Sequence, residues 1–510
     1  MGNICCNKEL DSRGTTLEPL SRSSSRISTE GRRVTLAPNM KNFKNLKHID
    51  NISDLYSFGD MLGEGSFGKV MKAVRIGSSS EFAVKYIEKD SLNSNPMLPK
   101  LMLNELTVLQ KSSHPGIMNV VELLEDNDYF YIVTELLSGG ELFDRIIEVG
   151  SFSEVKAAKI IKQVLLALNY MHSQKMTHRD LKPENILLES SNIKNLDVKI
   201  ADFGFSCFFD PKEGLDLVLG SPLYMAPEII QGRNYNEKVD IWSMGVISYM
   251  LLSGRNPFPG KTKDEVKRLI CKGFIDMNKP AFQKVSDDAK DFISKALIMD
   301  VKKRYSAKQL LNHPWMQEMS LKFDKQLDDE GTLEVLQHLK DFSKATKFQK
   351  TIMSVLCGLK ADKDELKKMK VAFMQMDTNQ DGTLSMEEIK EAESKLKGLK
   401  IGNKWQDVLK QCDLDGDGKI DFHEFFTAAI DHKKVLTKQN LSYAFQTFDT
   451  NGDGSIDIEE FKVALPSSST RKLSKSDMPR GRGSKNSLAA LSTKDTLNSQ
   501  IISGSQDEDD

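Results

Sequence analysis

The sequence lacks the patterns that mark several large classes of protein. Only six of its 510 residues are cysteine, and none lies in a Cys-x-x-Cys pair, so neither a disulfide framework nor a zinc site is expected. No run of about 18 apolar residues occurs, so no membrane-spanning helix is expected. The formal net charge of -2 offers no overall basic field to attract nucleic acid. These absences predict a protein of a reducing, cytoplasmic compartment that binds no nucleic acid.

The composition divides the chain into parts, because 510 residues exceed what one hydrophobic core usually holds. Both ends are rich in Ser, Arg and Lys and poor in large apolar side chains, which predicts disorder. Strand-like patterns up to residue 135 precede longer helical patterns, which predicts a small β-rich lobe and a larger helical lobe. The predicted parts are an arm at 1–50, the two lobes at 56–315, a basic junction at 316–360, a repeat region at 361–465 and a tail at 466–510.

A glycine-rich segment lies between two strand-like patterns near the start of the small lobe. Its glycines would let a turn approach a triphosphate without interference from Cβ atoms, although an ordinary glycine-rich hairpin has the same pattern. Lys85 follows on a strand that would carry it toward the phosphates, and Glu105 could hold it there; otherwise Lys85 is a solvated strand lysine. The predicted nucleotide-contacting residues of the segment are Leu62, Gly63, Glu64, Gly65, Ser66, Phe67, Gly68, Lys69 and Val70.

Three further motifs follow in the order that phosphoryl transfer requires. Residues 178–185 read His-Arg-Asp-Leu-Lys-Pro-Glu-Asn, residues 202–204 read Asp-Phe-Gly, and residues 226–228 read Ala-Pro-Glu. Asp180 would accept the proton of a substrate hydroxyl, while Asn185 and Asp202 would supply oxygen ligands to Mg²⁺. A buried histidine or a capping aspartate could explain any one of these residues, but not the set.

With every motif of this set intact, the two-lobed part resembles the protein kinase family. The resemblance implies a bilobal α+β fold with ATP and Mg²⁺ bound between the lobes, and a role for Lys182 in neutralising the transferred phosphoryl group. It places Thr134 at the back of the adenine pocket and the hinge from Glu135 to Leu137. The Lys-Pro-Glu-Asn form of the catalytic loop resembles Ser/Thr kinases, so the acceptor is expected to be a Ser or Thr hydroxyl.

The resemblance also implies roles for three glutamates and one arginine that take no direct part in phosphoryl transfer. Glu228 and Arg304 would form a structural pair. Glu141 and Glu184 match positions where basophilic relatives hold a substrate arginine, which predicts a preference for Arg-x-x-Ser/Thr. As an alternative, Glu141 bonds only the ribose or caps a helix.

No Ser, Thr or Tyr lies between Cys207 and Gly220, so the usual activating phosphorylation site of that segment is missing. Arg179 would still need an anion as a partner. Glu213 or Asp216 could replace the phosphate, and activation is expected to come mainly from elsewhere in the chain.

Three twelve-residue stretches start 36 residues apart and carry oxygen-bearing residues at alternate positions, Gly at the sixth and Glu at the twelfth. This is the pattern of a helix-loop-helix calcium site, and unrelated hairpin turns would not repeat it. The apolar eighth residue, Leu384, Ile420 or Ile456, suits a short strand between paired loops. The predicted calcium ligands are Asp377, Asn379, Asp381, Thr383 and Glu388, then Asp413, Asp415, Asp417, Lys419 and Glu424, then Asp449, Asn451, Asp453, Ser455 and Glu460, with Thr383, Lys419 and Ser455 giving backbone carbonyls.

Kinase motifs and EF-hand loops on one chain resemble the calcium-dependent protein kinases of plants and protists. The implied architecture is multidomain, with the bilobal kinase fold followed by an all-α EF-hand domain, and the implied function is calcium-activated Ser/Thr phosphorylation. That family usually has four hands, whereas residues 481–486 show no fourth ligand pattern. Two alternatives are a calmodulin-activated kinase with buffering hands and a non-catalytic calcium sensor or scaffold at a membrane.

The junction shows apolar residues at helical spacing among lysines. Such a basic amphipathic helix could bind an EF-hand groove, or its lysines could mimic a basic substrate in the kinase cleft. The hypothesis is that calcium-loaded hands take it from the kinase; the alternative is a packed connector. The apolar residues are Leu336, Leu339, Phe342, Ile352, Val355, Leu356 and Leu359, and the lysines are Lys340, Lys344, Lys347 and Lys350.

The first six residues, Met-Gly-Asn-Ile-Cys-Cys, resemble an N-myristoylation signal at Gly2, although Cys6 stands where Ser or Thr is preferred. Palmitate on Cys5 or Cys6, with nearby arginines, would supply the second signal that stable anchoring needs. We therefore expect a cytoplasmic protein that lies partly at the cytoplasmic face of a membrane. We also expect it to be a monomer. The arginines are Arg13, Arg22, Arg26, Arg32 and Arg33.

Overall fold

The computed structural model describes residues 46–64, 68–77, 80–92, 97–192, 194–324, 327–360, 363–396, 405–448 and 456. Several predictions therefore lie outside the described residues. These are the acylation signal at Gly2, Cys5 and Cys6, the turn at Gly65, Ser66 and Phe67, and the third calcium loop with Asp449, Asn451, Asp453, Ser455 and Glu460.

The first lobe is built on a six-stranded sheet in the order β1-β5-β6-β4-β3-β2. The central strands read as nearly continuous apolar runs because both of their faces are covered, and Val84 and Val133 at the centre are fully buried. The elements are β1 Leu46–His48, β2 Tyr56–Glu64, β3 Lys69–Arg75, β4 Glu81–Glu88, β5 Val120–Glu125 and β6 Tyr129–Glu135, with helices α1 Lys89–Leu92 and α2 Leu98–Lys111 and a 3₁₀ turn at Ile52–Asp54.

The first strand, β1, differs from the predicted disordered arm over residues 1–50. Leu46 to His48 pair in parallel with Leu123 to Glu125 of β5 and form an edge of the sheet. Three residues are too few for a period-two pattern to be read, and the pairing partner lies far along the chain. Local composition therefore could not reveal this strand.

The second lobe is mainly helical. Its central helix, α6 (Lys238–Ser253), is buried on every face, which explains why its sequence is apolar all round rather than amphipathic. The other elements are α3 Leu142–Val149, α4 Glu154–Ser173, β7 Met176–Thr177, β8 Ile186–Leu188, β9 Val198–Ile200, β10 Cys207–Phe208, α5 Pro227–Ile230, α7 Lys263–Lys272, α8 Asp287–Ala296, α9 Ala307–Leu311 and α10 Pro314–Phe323, with 3₁₀ turns at Pro183–Asn185 and Pro280–Phe282.

Two short strand pairs hold the loops of the second lobe. β8 pairs with β9 and β7 with β10, all antiparallel. The β8–β9 pair follows residues 178–185 and precedes residues 202–204, so these two motifs leave the same small ribbon. That placement brings the predicted catalytic residues to one side of the lobe.

The remaining described chain is helical and shares one hydrophobic cluster. The junction contributes α11 Asp329–Lys344 and α12 Lys347–Lys360, and the repeat region contributes α13 Lys363–Met376, α14 Met386–Lys395, α15 Trp405–Cys412, α16 Phe422–Ala429, α17 His432–Val435 and α18 Lys438–Phe448. Apolar residues from both parts line the cluster, including Leu336, Leu356, Phe373, Phe425 and Ile456. The junction and the hands therefore share a core.

Among the helices that the structure describes, none is both long enough and apolar enough to cross a membrane.

Candidate active site and calcium site

The hairpin of β2 and β3 positions the described part of the glycine-rich segment. Leu62, Gly63 and Glu64 end β2, while Lys69 and Val70 begin β3. A Cβ atom on Gly68 would lie 2.0 Å from the carbonyl oxygen of Tyr86 on β4, so the close approach of two strands already requires glycine there.

Nothing lies within 4 Å of a Cβ built on Gly63, so packing does not explain that glycine. Open space beside the backbone fits the predicted approach of a phosphate at this position. Glycine is thus required at position 68 by the packing of two strands and at position 63 by the expected approach of a phosphate, although both belong to one motif.

Lys85 points from β4 to the carboxylate of Glu105 on α2. Its Nζ lies 2.7 Å from Glu105 Oε1 and 3.7 Å from Asp202 Oδ1. Burial acts to lower the pKa of Lys85, but the charges of Glu105 and Asp202 outweigh it and raise the pKa. The lysine is therefore held as a fixed cation at the cleft, as a phosphate ligand requires.

The predicted hinge region follows directly on β6. Thr134 is buried, and its hydroxyl donates to the carbonyl of Ala83 at 3.3 Å. The Glu135 carboxylate accepts from Lys199 Nζ at 2.6 Å, so its side chain is engaged away from any adenine. The backbone of residues from Glu135 to Leu137 and the partly exposed side chains of Leu136 and Leu137 are left to contact a nucleotide base.

The catalytic loop brings Asp180, Lys182 and Asn185 together. Lys182 Nζ lies 3.1 Å from Asp180 Oδ2, and the Asn185 amide donates to the Asp180 carbonyl at 2.8 Å. The backbone N–H of Ser221 donates to Asp180 Oδ1 at 2.8 Å. Burial acts to lower the pKa of Lys182, but the charges of Asp180 and Glu184 outweigh it. The arrangement leaves a carboxylate base beside a fixed cation.

Asp240, near the start of α6, anchors this loop and was not predicted from the sequence. It is fully buried, and its carboxylate accepts from the backbone N–H groups of His178 and Arg179 at 3.0 and 2.9 Å. It also accepts from the Thr177 hydroxyl at 2.9 Å and contacts His172 Nε2 at 2.9 Å. A carboxylate at the head of a wholly apolar helix was the available signal.

Asp202 lies at the start of the Asp-Phe-Gly segment with a positive φ of 54°, a strained conformation for a residue other than glycine. The ring of Phe203 packs edge-on against His178, with centroids 5.2 Å apart. The Asn185 amide nitrogen is engaged with Asp180, which leaves its oxygen as an acceptor. The carboxylate and amide oxygens of Asp202 and Asn185 are the donor type that Mg²⁺ takes beside phosphates.

An acidic group lies beside the catalytic loop. Burial and the charges of Asp144 and Glu184 raise the pKa of Glu141, and burial also raises the pKa of Glu184. Glu141 precedes α3, but its side chain makes no capping hydrogen bond, which removes the capping alternative. Glu184 Oε2 is buried without a hydrogen-bond partner among the described residues.

The expected replacement of a phosphate by Glu213 or Asp216 is wrong. Within the described part of the chain, Arg179 forms no ion pair with either carboxylate, and both side chains are exposed. The Arg179 Nε–H instead donates to the carbonyl of Phe205. A charge count along the segment could not show which way these side chains point.

The expected pair of Glu228 and Arg304 is present as a buried structural contact. The two guanidinium nitrogens donate to the two carboxylate oxygens at 2.6 and 3.0 Å. This bidentate contact ties α5 to the segment before α9.

The first calcium loop folds around its own predicted ligands. The N–H of Gly382 donates to Asp377 Oδ2 at 2.8 Å, and the N–H of Asn379 donates to Glu388 Oε1 at 3.0 Å. Gly382 has a φ of 77°, which the sharp turn requires. Burial and the charges of Asp381 and Glu388 raise the pKa of Asp377 to about 7. Carboxylates crowded in this way fit a divalent cation.

The second loop gathers ligand oxygens more tightly. One oxygen from each of Asp413, Asp415 and Glu424 lies within 4.8 Å of the others, as a single cation would need. Burial and the charge of Asp417 raise the pKa of Asp415 to about 6. Carboxylate oxygens are the hard donors that Ca²⁺ takes as ligands.

The two described loops are paired. Leu384 and Ile420, at the eighth positions, exchange two backbone hydrogen bonds of 2.8 and 3.1 Å. Lys419 was predicted to offer only its backbone carbonyl, but its Nζ reaches the other loop and lies 2.9 Å from Asp381 Oδ2 and 3.0 Å from Thr383 Oγ1.

The junction is two helices rather than one. α11 ends at Lys344 and α12 begins at Lys347, because Thr346 and Gln349 form a capping box: the Gln349 N–H donates to Thr346 Oγ1 at 3.3 Å and the Thr346 N–H to Gln349 Oε1 at 2.8 Å. The apolar face is in the shared cluster, where Leu336, Leu339, Phe342, Ile352 and Leu356 are buried and Val355 is partly buried. The side chains of Leu359 and Lys347 lie outside the described residues.

The junction lysines have different surroundings. Lys350 is buried, and its Nζ donates to the carbonyl of Gln411 on α15 at 3.0 Å. Lys344 is largely exposed, and Lys340 is half-buried. Lys350, one of the predicted basic residues of the junction, is therefore already bound to the EF-hand region.

Direct contacts join the hands to the second lobe and to the loop after α2. Asn169 on α4 donates to the carbonyl of Gln380 in the first calcium loop, and Lys370 on α13 lies 2.9 Å from Glu189. The N–H of His423 on α16 donates to the hydroxyl of Ser113 at 2.9 Å. The calcium loops thus touch the kinase directly.

The fold and these sites define a protein kinase that carries its own calcium sensor. The family model for the protein kinase domain matches residues 56–316, and the model for the EF-hand domain pair matches residues 366–430 and 402–465.

Similar proteins combine the same parts. Calcium-dependent protein kinase 5 of Plasmodium falciparum (isolate 3D7) is 38% identical over 391 residues, which cover 76% of this chain and 67% of that protein. Calcium-dependent protein kinase 4 of Plasmodium berghei (strain Anka) is 38% identical over 392 residues, covering 75% and 74%. Calcium-dependent protein kinase 19 of Oryza sativa subsp. japonica is 36% identical over 399 residues, covering 78% and 73%.

The chain belongs to the calcium-dependent protein kinase family. It is a calcium-dependent protein serine/threonine kinase with protein substrates, it uses ATP and Mg²⁺, and its EF-hands bind Ca²⁺. The resemblance inferred from the sequence is confirmed, as are the predicted fold class and cofactors.

Proposed function

We propose that the junction helices α11 and α12 inhibit the kinase in the absence of calcium, and that calcium-loaded hands hold them away from the catalytic cleft. The observation that carries this proposal is the burial of Leu336, Leu339, Phe342 and Leu356 in the same cluster as the hands. A segment whose apolar face is shared with a calcium sensor responds to any rearrangement of that sensor.

The junction lysines supply the inhibitory chemistry in this proposal. Lys340 and Lys344 lie outside the apolar face and would occupy the acidic surroundings of Glu141 and Glu184 as a basic substrate does. Reversing both charges, Lys340→Glu with Lys344→Glu, is expected to raise phosphorylation of a peptide in chelator severalfold while activity in saturating calcium stays the same. Lys395→Glu, another largely exposed lysine outside the junction, is the matched control.

The same assay tests the whole switch. The full-length protein is incubated with an Arg-x-x-Ser peptide in calcium or chelator, alongside Asp180→Asn and a triple variant, Glu388→Gln, Glu424→Gln and Glu460→Gln. The proposal is supported if activity depends on calcium, if Asp180→Asn abolishes it, and if calcium no longer stimulates the triple variant. Activity that needs added calmodulin favours the calmodulin-activated alternative, and activity that ignores calcium rejects the switch.

We also infer a preference for Arg-x-x-Ser/Thr substrates. The unpartnered buried oxygen Glu184 Oε2 and the like charges around Glu141 support it, since a guanidinium would satisfy both. Replacing the peptide arginine with alanine is expected to raise KM by about tenfold or more, because hydrogen bonds to charged groups contribute about 1.5–3 kcal/mol. An unchanged KM would remove this specificity from the proposal.

Membrane attachment through Gly2, with Cys5 or Cys6, is a further proposal that rests on the sequence of the arm. Mass spectrometry of the amino-terminal peptide from cells would show an acyl group on Gly2. A Gly2→Ala variant is expected to leave the membrane fraction, and equal partitioning of both proteins would contradict the proposal.

A further inference from the structure

The segment between Cys207 and Gly220 has no Ser, Thr or Tyr, and the carboxylates of Glu213 and Asp216 form no ion pair with Arg179 among the described residues. Arg179 is nevertheless buried, with a positive φ of 68° and with its backbone N–H on Asp240. Contacts other than a phosphate or these two carboxylates must therefore hold the segment in place.

Tyr235 is in the right place. It is only 3% exposed, and its hydroxyl donates to the carbonyl of Leu217 at 2.7 Å. Its backbone exchanges two hydrogen bonds of 2.9 Å with Leu215. The segment from Leu215 to Leu217 is thus fixed by both the backbone and the side chain of one residue.

The helix that follows Tyr235 is tied to the catalytic loop. Asp240 on α6 accepts from the backbone N–H groups of His178 and Arg179 at 3.0 and 2.9 Å. Burial raises the pKa of the Tyr235 hydroxyl, which keeps it protonated as a donor to the Leu217 carbonyl.

The far end of the segment rests on the catalytic base. Gly220 has a φ of 111°, and a Cβ atom there would lie 2.7 Å from the carbonyl oxygen of Arg179. The next N–H, of Ser221, donates to Asp180 Oδ1. A shift of the backbone at Leu217 would therefore displace Ser221, four residues later, and through its N–H the carboxylate of Asp180.

We propose that Tyr235 is a positioning residue for phosphoryl transfer, which fixes the activation segment through the hydrogen bond of its hydroxyl to the carbonyl of Leu217 and through its two backbone hydrogen bonds with Leu215. These contacts hold the segment from Leu215 to Leu217 without a phosphorylated side chain. They lie within the kinase lobe, and the proposal is independent of the proposed inhibition by the junction.

The test removes only the hydroxyl, in a full-length Tyr235→Phe variant assayed in saturating calcium. We expect kcat to fall roughly five- to twentyfold, since one net hydrogen bond is worth about 1 kcal/mol and a little more if buried groups are left unpaired. KM for ATP and the calcium midpoint are expected to stay unchanged. Hydrogen–deuterium exchange across residues 213–221 is expected to quicken.

Tyr249→Phe is the matched control, because Tyr249 is a buried tyrosine on α6 whose hydroxyl donates to the carbonyl of Asp276 at 3.0 Å. It should lose comparable stability and keep kcat. Glu213→Gln and Asp216→Asn should also keep kcat. The proposal is overturned if Tyr235→Phe keeps full kcat, if Tyr249→Phe loses as much, or if either carboxylate variant accounts for the loss instead.

Discussion

At the scale of single residues, the role of Lys419 is set by where its side chain lies and could not be inferred from its residue type. Lys419 belongs to the second calcium loop, yet its ammonium lies on Asp381, a predicted ligand of the first. A lysine beside a carboxylate stabilises its charge and competes with any second cation there. The paired loops are thus linked electrostatically as well as through Leu384 and Ile420.

Lys419→Met is expected to tighten calcium binding by the first loop about two- to threefold, because a partly exposed ion pair is worth roughly 0.2–1 kcal/mol. Calorimetric titration of a Glu424→Gln, Glu460→Gln background isolates that loop. Lys395→Met on α14 is the control and should change nothing. Weaker binding in Lys419→Met would show that the lysine orders Asp381 for calcium rather than competing with it.

Asp240 is the residue on which the catalytic loop depends most. Asp240→Asn would set an amide N–H₂ against backbone donors, and we expect it to lower the free energy of unfolding by about 2–4 kcal/mol and kcat by a large factor. Burial acts to raise the pKa of Asp240, but the hydrogen bond and charge of His172 lower it overall.

The pH dependence of that contribution follows from the lowered pKa. It is fully present above the unfolded-state pKa of about 3.9 and is lost only as pH falls through the lower folded value. Denaturant unfolding of both proteins should therefore give a constant difference from pH 7 to about pH 5 that shrinks below pH 4. A difference that disappears already between pH 7 and 6 would implicate a histidine instead.

At the scale of elements, periodic patterns predicted most of the fold, and long-range contacts account for what they missed. The calcium loops follow from ligand spacing, since Asp377 and Asp413 each accept from the N–H of the glycine five residues later. The strand β1 could not be predicted, because its pairing partner lies far along the chain. Asp240 had a local signal, a carboxylate at the head of an apolar helix, but its partners His178 and Arg179 are about 60 residues away and could not be read from that signal. The break between α11 and α12 did have a local signal, Thr346 followed by Gln349, within an otherwise continuous apolar period.

Thr346→Ala is expected to destabilise this joint by about 1 kcal/mol, the usual loss when a helix cap is removed. Thermal unfolding of the full chain, followed by near-ultraviolet circular dichroism, measures it. Ser343→Ala removes a hydroxyl that bonds only the carbonyl of Lys340 in the last turn of α11, and should have less effect. Equal effects of the two variants would mean that the capping box does not set the break.

At the scale of the whole molecule, the calcium sensor is seated on the kinase. The residues that receive it, Ser113, Asn169 and Glu189, are none of the predicted catalytic residues. Gly382 of the first calcium loop packs so closely on Tyr170 that a Cβ atom would lie 2.7 Å from its ring. A calcium-dependent change in that loop would therefore displace Tyr170 and with it α4, the helix that precedes the catalytic loop.

The ion pair between Lys370 and Glu189 allows this seating to be tested by exchange of charge. Lys370→Glu and Glu189→Lys each place like charges 2.9 Å apart in a partly buried contact, and each is expected to raise the calcium midpoint of peptide phosphorylation about two- to fivefold. The double variant restores opposite charges and should return the midpoint toward the original value, whereas Lys395→Glu should leave it unchanged. Additive losses in the double variant would show that the pair does not hold the sensor on the kinase, and the coupling would then have to run through Asn169, Tyr170 and Ser113 alone.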